Sequence, residues 1–305
     1  MTQVRANGID LEFESFGREG DPTILLIAGY LEQLTGWPDS LPHGLAAKGF
    51  RVVRFDNRDA GKSSHLTALS APAVPQLMAK FMSGEKIEPP YSLNDMAADA
   101  VGLLDALAIG QAHLVGASMG GMIAQLIAAN YPAKTKSLVS IMSGTGRRGL
   151  PRPKPEAMAA LMMRPSNPTR ENRIEALIRA WRVIGGPGYR ASDAEIRAYV
   201  ERQVDRVPLD LAAYARQTAA LLAAEPRNEI LKSVRAPTLV LHGADDPLAP
   251  VEWAKDTAEC IAGSELVIVP GLGHDFTEAA VEKVYLKYIG EFISRVEARA
   301  KSAAA

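Results

Sequence analysis

The chain has 305 residues, 47% hydrophobic, with 34 Lys and Arg against 35 Asp and Glu and one cysteine. That length exceeds an average domain and the apolar share can fill a large core, so two domains, or one core with an insertion, are expected. A formal net charge of −1 gives no basis for a nucleic-acid or acidic-surface partner, the lone Cys260 excludes an internal disulfide, and no apolar run reaches the length of a membrane span. Met1 to Asp10 carries no apolar signal core, so the expected location is the cytoplasm.

Taken in order, Ile9 to Phe16 alternates apolar and polar residues and predicts a strand with one wet face. Thr23 to Ala28 is a continuous aliphatic run, the signature of a buried parallel strand, and it ends at Gly29-Tyr30. Leu34 to Phe50 predicts a helix with Trp37 and Leu41 on one side, and Arg51 to Phe55 the next strand. The following stretch, Asp56-Asn57-Arg58-Asp59-Ala60-Gly61-Lys62-Ser63-Ser64, imitates a phosphate loop at its end. A Walker A motif needs glycine where Asp56 stands, so nucleotide binding is rejected. Residues 66 to 91, with Pro72, Pro75, Pro89 and Pro90 around a short helical piece at 76–82, read as a loop excursion that could line a pocket. Ser92 with Asp95 starts a helix that runs to Leu107 with a core-packing stripe.

The centre of the chain is Gly116-x-Ser118-x-Gly120. An apolar strand, His113 to Val115, precedes it, and a helical pattern, Met119 to Asn130, follows. A serine in such a turn sits at strained angles, its small neighbours avoid collision, and its hydroxyl stands at the positive end of the helix dipole. Ser118 is the candidate nucleophile. Ser137 to Met142 is a further strand. From Arg147 a basic, proline-rich connection leads into amphipathic helices at 156–163, 171–184, 193–204 and 209–223. Among them Met158, Met162, Met163 and Trp181 either line a substrate pocket or simply bury the helices against the core. The sheet resumes at Thr238 to Gly243, followed by the acidic turn Asp245-Asp246-Pro247. A helix at 252–261, a last strand at 265–269, the loop Pro270-Gly271-Leu272-Gly273-His274 and a long terminal helix complete the chain. His43, His65, His113 and His242 sit in positions that suit structural roles, and no His/Cys cluster with metal spacing occurs, so neither metal nor cofactor is expected.

These motifs, in this order, resemble the α/β-hydrolase superfamily over nearly the whole chain. The resemblance implies an α/β fold with a mostly parallel eight-stranded sheet flanked by helices. It implies a core of residues 1–146 and 232–305 and a helical cap, 147–231, inserted after the sixth strand. The family pattern Gly-x-x-Asp-x-x-x-Pro aligns Gly243, Asp246 and Pro250, making Asp246 the triad acid with Asp245 as its rival. His274 holds the place of the general base, and the chain order of Ser118, Asp246 and His274 is the family order. Where the family has a His-Gly-aromatic turn this chain has Ala28-Gly29-Tyr30. The backbone N–H groups of Tyr30 and Met119 are then the implied oxyanion donors, since a backbone donor needs no particular side chain. The Asp56 to Ser63 turn matches a family turn whose task is bracing near the elbow. Gly36-Trp37-Pro38-Asp39, Asp56-Asn57-Arg58-Asp59, Ala97-Ala98-Asp99-Ala100-Val101 and Asp246-Pro247-Leu248-Ala249-Pro250 are most similar to aclacinomycin methylesterase-like polyketide methyl ester hydrolases.

The expected function is a serine hydrolase that cleaves carboxylic esters, small or hydrophobic and including polyketide-type methyl esters, through an acyl-enzyme on Ser118. The alternatives are a C–C bond hydrolase or cofactor-free perhydrolase with the same triad, and a non-catalytic ligand receptor on this scaffold. The expected partner is a small ester, and the sequence leaves oligomeric state open.

Overall fold

The aliphatic runs form strands, and the computed structural model, which describes residues 2–162 and 167–304, orders them in one eight-stranded sheet. The strands are β1 (Thr2–Ala6), β2 (Ile9–Phe16), β3 (Thr23–Ile27), β4 (Arg51–Phe55), β5 (Ala112–Ala117), β6 (Thr135–Ile141), β7 (Thr238–Gly243) and β8 (Glu265–Val269). Their spatial order is β1-β2-β4-β3-β5-β6-β7-β8. The β1–β2 and β2–β4 pairs are antiparallel and all others parallel.

Side chains of the central strands alternate between two cores, as period-two geometry demands. Leu25, Ile27, Val53 and Leu114 face one core, while Ile24, Leu26, Val52 and Val115 face the other. The first core is covered by α3 (Leu93–Ala106) and α4 (Met119–Asn130). The second is covered by α1 (Ser40–Ala46) and the C-terminal helix.

Two local expectations need correction. The helix expected over 34–50 is broken: a single 3-10 turn, Leu34–Gly36, is separated from α1 by Trp37-Pro38. Proline disfavours the helical region for the residue before it, and Trp37 is extended at φ −76°, ψ 114°. The strand β1 is not evident from periodicity, because four of its five residues are partly or fully exposed. It is created by a hairpin turn, with Asn7 at φ 45° and Gly8 at φ 79°, that pairs Ala6 with Ile9.

In the excursion after β4 lies α2 (Val74–Ser83). Between β6 and β7 lie α5 (Pro155–Met162), α6 (Arg170–Ile184), α7 (Asp193–Arg206), α8 (Leu211–Leu222) and the short α9 (Asn228–Leu231). Helices α6 and α7 share a small core of Ile174, Ile178, Val200 and Val204. Buried ion pairs fasten this insertion to the turn after β4. Arg206 of α7 meets Asp56 at 2.8 Å, and Arg216 of α8 meets Asp59 with two bonds of 2.6 and 2.9 Å. Asp56 also accepts from the Leu34 and Lys62 N–H groups, and Arg58 pairs with Asp99. The turn that imitates a phosphate loop is thus occupied by its own salt bridges. After β7 come α10 (Val251–Cys260), α11 (Glu278–Ala280), one wide turn at Val281–Tyr285, and α12 (Leu286–Ala304). Among the described residues, no helix is long and apolar enough to cross a membrane.

Candidate active site

The elbow follows from steric demands. Ser118 lies between β5 and α4 at φ 55°, ψ −121°, a left-handed setting that a serine adopts only where its surroundings enforce it. Its N–H is fixed by Ile141 O at 2.9 Å. A Cβ at Gly116 would stand 2.1 Å from Gly120 O, and one at Gly120 would stand 2.0 Å from Ile27 O. Both glycines are therefore required for α4 to start so close to the ends of β3 and β5. In the first turn of α4 the Gly121 and Met122 N–H groups donate to Ser118 O at 2.9 and 3.2 Å, and the Met119 N–H directly follows the serine.

The acidic turn after β7 resolves the two neighbouring aspartates geometrically. Asp246 Oδ2 lies 2.8 Å from His274 Nδ1, and its Oδ1 accepts from the N–H groups of Leu248 and Ala249 at 2.8 and 2.7 Å. Asp245 turns the other way and accepts from Gly271 N–H at 2.7 Å. It helps to hold the loop that carries the histidine but does not touch the ring. Burial opposes the charged form of His274, but the Asp246 charge and hydrogen bond, with smaller contributions from Asp275 and Glu32, hold its pKa above the ordinary value.

The His274 loop is gripped from the insertion as well as from the sheet. His274 N–H donates to Ile184 O, Gly188 N–H to Gly271 O, and Gly186 N–H to the Asp275 carboxylate. Burial pushes the Asp275 carboxyl up to about 6. At the closest point a Cβ on Gly273 would lie 2.2 Å from Gly186 N, so the two chains touch backbone to backbone.

Ser118 and His274 line one cavity of about 700 Å³. Among the described residues no hydrogen bond joins the hydroxyl to the imidazole. Tyr30 and Met119 line the same cavity. The Tyr30 hydroxyl is drawn to Thr218 of α8 at 2.5 Å, and Gly29 keeps the end of β3 against the elbow, its Cβ position 3.4 Å from Ser118 Cβ. Met158, Met162 and Trp181 all line the cavity; Met163 lies outside the described residues. So do Met78, Phe81 and Met82 from the excursion after β4. Trp181 packs edge-on against Tyr199, with ring centroids 4.6 Å apart.

Sequence reasoning missed Glu32, which lines the cavity beside the end of β3. The signal was present: a lone acid in the stretch Gly29-Tyr30-Leu31-Glu32-Gln33-Leu34 just past the candidate oxyanion turn. Burial pushes its carboxyl up to about 7, against the opposing Tyr199 hydrogen bond and His274 charge.

The family model for the alpha/beta hydrolase fold matches residues 22–278, and the chain belongs to that family. Rhodomycin D methylesterase DauP of Streptomyces sp. (strain C5) is 28% identical over 294 residues, covering 89% of this chain and 91% of the relative. Rhodomycin D methylesterase DnrP of Streptomyces peucetius is also 28% identical, covering 87% of this chain and 89% of that one. Among solved structures, the meta-cleavage product hydrolase CumD from Pseudomonas fluorescens IP01 superposes with a TM-score of 0.73 at 21% identity, over 97% of this chain and 98% of that chain.

Proposed function

We propose that the protein is a carboxylic ester hydrolase that works through an acyl-enzyme on Ser118, with hydrophobic methyl esters of the polyketide type as its preferred substrate class. The observation that carries the reading is the partly buried Asp246–His274 bond opening into the same cavity as the Ser118 hydroxyl on its strained elbow. The methyl ester preference is supported by the two methylesterase relatives and by the size and apolar walls of the cavity.

In this mechanism His274 Nε2 takes the Ser118 proton as Oγ attacks the ester carbonyl. Asp246 keeps the proton on Nδ1 and stabilises the imidazolium that forms. The carbonyl oxygen becomes an oxyanion held by the N–H groups of Tyr30 and Met119, each worth about 3 kcal/mol in such a site. The imidazolium protonates the departing alkoxide, leaving the acyl group on Oγ. Water, deprotonated by His274, then attacks the acyl carbon and returns the free acid and Ser118. No cofactor takes part. Helices α5 to α8 act as a cap that shapes the pocket and excludes water from the acyl-enzyme.

The test is hydrolysis of p-nitrophenyl butyrate and of a bulky aromatic methyl ester by wild type and Ser118→Ala. Turnover that is lost in the variant, with a fluorophosphonate adduct localised to Ser118 by mass spectrometry, is the expected result. A folded wild-type protein that turns over no ester, yet binds such molecules tightly, would replace the enzyme by a ligand receptor.

A further inference from the structure

We propose that Glu32 is a specificity-determining residue that hydrogen-bonds a hydroxyl group of the substrate close to its ester carbonyl. This rests on the ester hydrolase reading and adds to it a polar group that the substrate must carry.

The geometry places Glu32 at the right point. The Cβ position of Gly29 lies 3.4 Å from Ser118 Cβ and 3.8 Å from Glu32 Cγ, so the acid and the candidate nucleophile flank one glycine. The carboxyl is held from the insertion: the Tyr199 hydroxyl lies 3.1 Å from Oε2 and 3.2 Å from Gly36 O. A Cβ on Gly36 would stand 2.2 Å from Oε2, so the chain leaves room for this carboxyl. The one side-chain bond of Glu32 among the described residues is to Oε2, and Glu32 lines the cavity that holds Ser118 and His274 as well as a smaller neighbouring one of about 180 Å³.

The rest of that wall is mostly apolar, including Met119, Met122, Met158, Trp181 and Phe276. Desolvating a carboxyl there is costly unless its remaining oxygen finds a partner, and an apolar residue would pack the same place without that cost. Pockets of this kind fix ligand orientation with a few placed polar groups. The partner chemistry follows from the geometry, with Oε2 beside the Tyr199 hydroxyl and Oε1 left for a ligand, and protonation agrees with it. With its carboxyl raised to about 7, Glu32 has both protonated and ionised forms within reach near neutrality, so it can donate as well as accept. A hydroxyl has the same double character. A substrate ammonium would instead call for the ionised form. A site built to hydrogen-bond a substrate hydroxyl also rejects the analogue that lacks it, because its own polar group is then left unpaired.

The experiment uses the full chain in a Ser118→Ala background, so binding is read without turnover. Calorimetry compares methyl mandelate with methyl phenylacetate, and methyl 3-hydroxy-3-phenylpropanoate with methyl 3-phenylpropanoate. Each pair differs by one hydroxyl near the ester. At pH 6.5 the hydroxylated member of at least one pair should bind about tenfold tighter, the weight of one hydrogen bond to an acid. Glu32→Leu should abolish that preference, while the nearly isosteric Glu32→Gln should retain part of it. No preference in either pair, or a preference that survives in Glu32→Leu, overturns the proposal. The matching kcat/KM ratios with Ser118 intact should shift in the same sense. Ser118-intact protein that hydrolyses neither these four esters nor p-nitrophenyl butyrate would sink the esterase reading, while the binding ratios would still judge Glu32.

Discussion

Asp246→Asn tests the site most sharply, because the structure fixes which way the new amide must face. Oδ1 of Asp246 accepts from two backbone N–H groups, those of Leu248 and Ala249. In the variant the amide oxygen must stay there, since an NH2 group would oppose two donors. The amide nitrogen is then left at the place of Oδ2, 2.8 Å from His274 Nδ1. Facing a donor, Nδ1 can only accept, so the proton moves to Nε2 and the ring loses its capacity to deprotonate Ser118. The wrong tautomer in a serine triad lowers kcat by about 10⁴, or about 5 kcal/mol at 1.36 kcal/mol per decade. Folding should be little disturbed, because both backbone donors remain paired. The assay is p-nitrophenyl butyrate hydrolysis beside a thermal melt. Asp245→Asn, whose carboxylate only steadies Gly271, should keep kcat within about tenfold of wild type, far short of a lost triad member. A folded Asp246→Asn within tenfold of wild type, or an equal loss in Asp245→Asn, would refute the reasoning.

Because imidazolium cannot accept the Ser118 proton, kcat/KM should fall as pH drops, with a midpoint above about 6.5, the ordinary histidine value. Residual activity of Asp246→Asn should show this limb shifted to lower pH, since burial then outweighs the lost charge partner; a pH profile with an unmoved limb would contradict it. Arg216→Met leaves Asp59 buried and unpaired, and should cost about 3–5 kcal/mol. A melt should show Tm lower by roughly 6–20 °C, with Asp59→Asn/Arg216→Met recovering part of the loss; a Tm unchanged in the single variant would contradict it. Gly120→Ala would press a methyl group to 2.0 Å from Ile27 O and 2.6 Å from Ala28 O, so soluble yield and esterase activity should both collapse. Gly110→Ala, with nothing within 4 Å of the new Cβ, is the matched control and should melt within about 1 °C of wild type or above it.

The parts legible from sequence are those whose cause is local. The elbow announces itself because Gly116, Ser118 and Gly120 fall within five residues between an aliphatic strand and a helix, with Gly116 clearing Gly120 O one turn on, although the contact that Gly120 clears is with Ile27 O of the distant β3. The central strands do so because burial on both faces leaves unbroken aliphatic runs such as Thr23–Ile27. The turn after β4 was legible as a brace, but not its partners: Arg206 and Arg216 lie some 150 residues further along the chain and look like ordinary helix-surface arginines. Glu32 was overlooked for the same reason, since Tyr199 gives it meaning only after folding. Spacing in the Gly-x-x-Asp-x-x-x-Pro pattern favours Asp246 over Asp245, but which of two adjacent turn residues meets the His274 ring depends on rotamers and hydrogen bonds that exist only after folding.

The insertion does more than contribute walls to the cavity. Its 184–188 segment shares backbone hydrogen bonds with the His274 loop, and α7 and α8 are locked by buried ion pairs to the turn after β4. The cavity wall and the loop that carries the imidazole are therefore one mechanical unit. Swinging α6 to α8 away as a body would break two buried ion pairs, Arg206–Asp56 and Arg216–Asp59. It would also strip the His274 loop of its outer support. Helix α2 has no such ties among the described residues. Phe81 and Met82 stand exposed at its end and still line the cavity, so passage along α2 breaks none of these bonds. The same ties explain why a carboxyl at position 32, held by Tyr199 of α7, can keep a fixed place beside Ser118: the element that positions it is clamped to the sheet at Asp56.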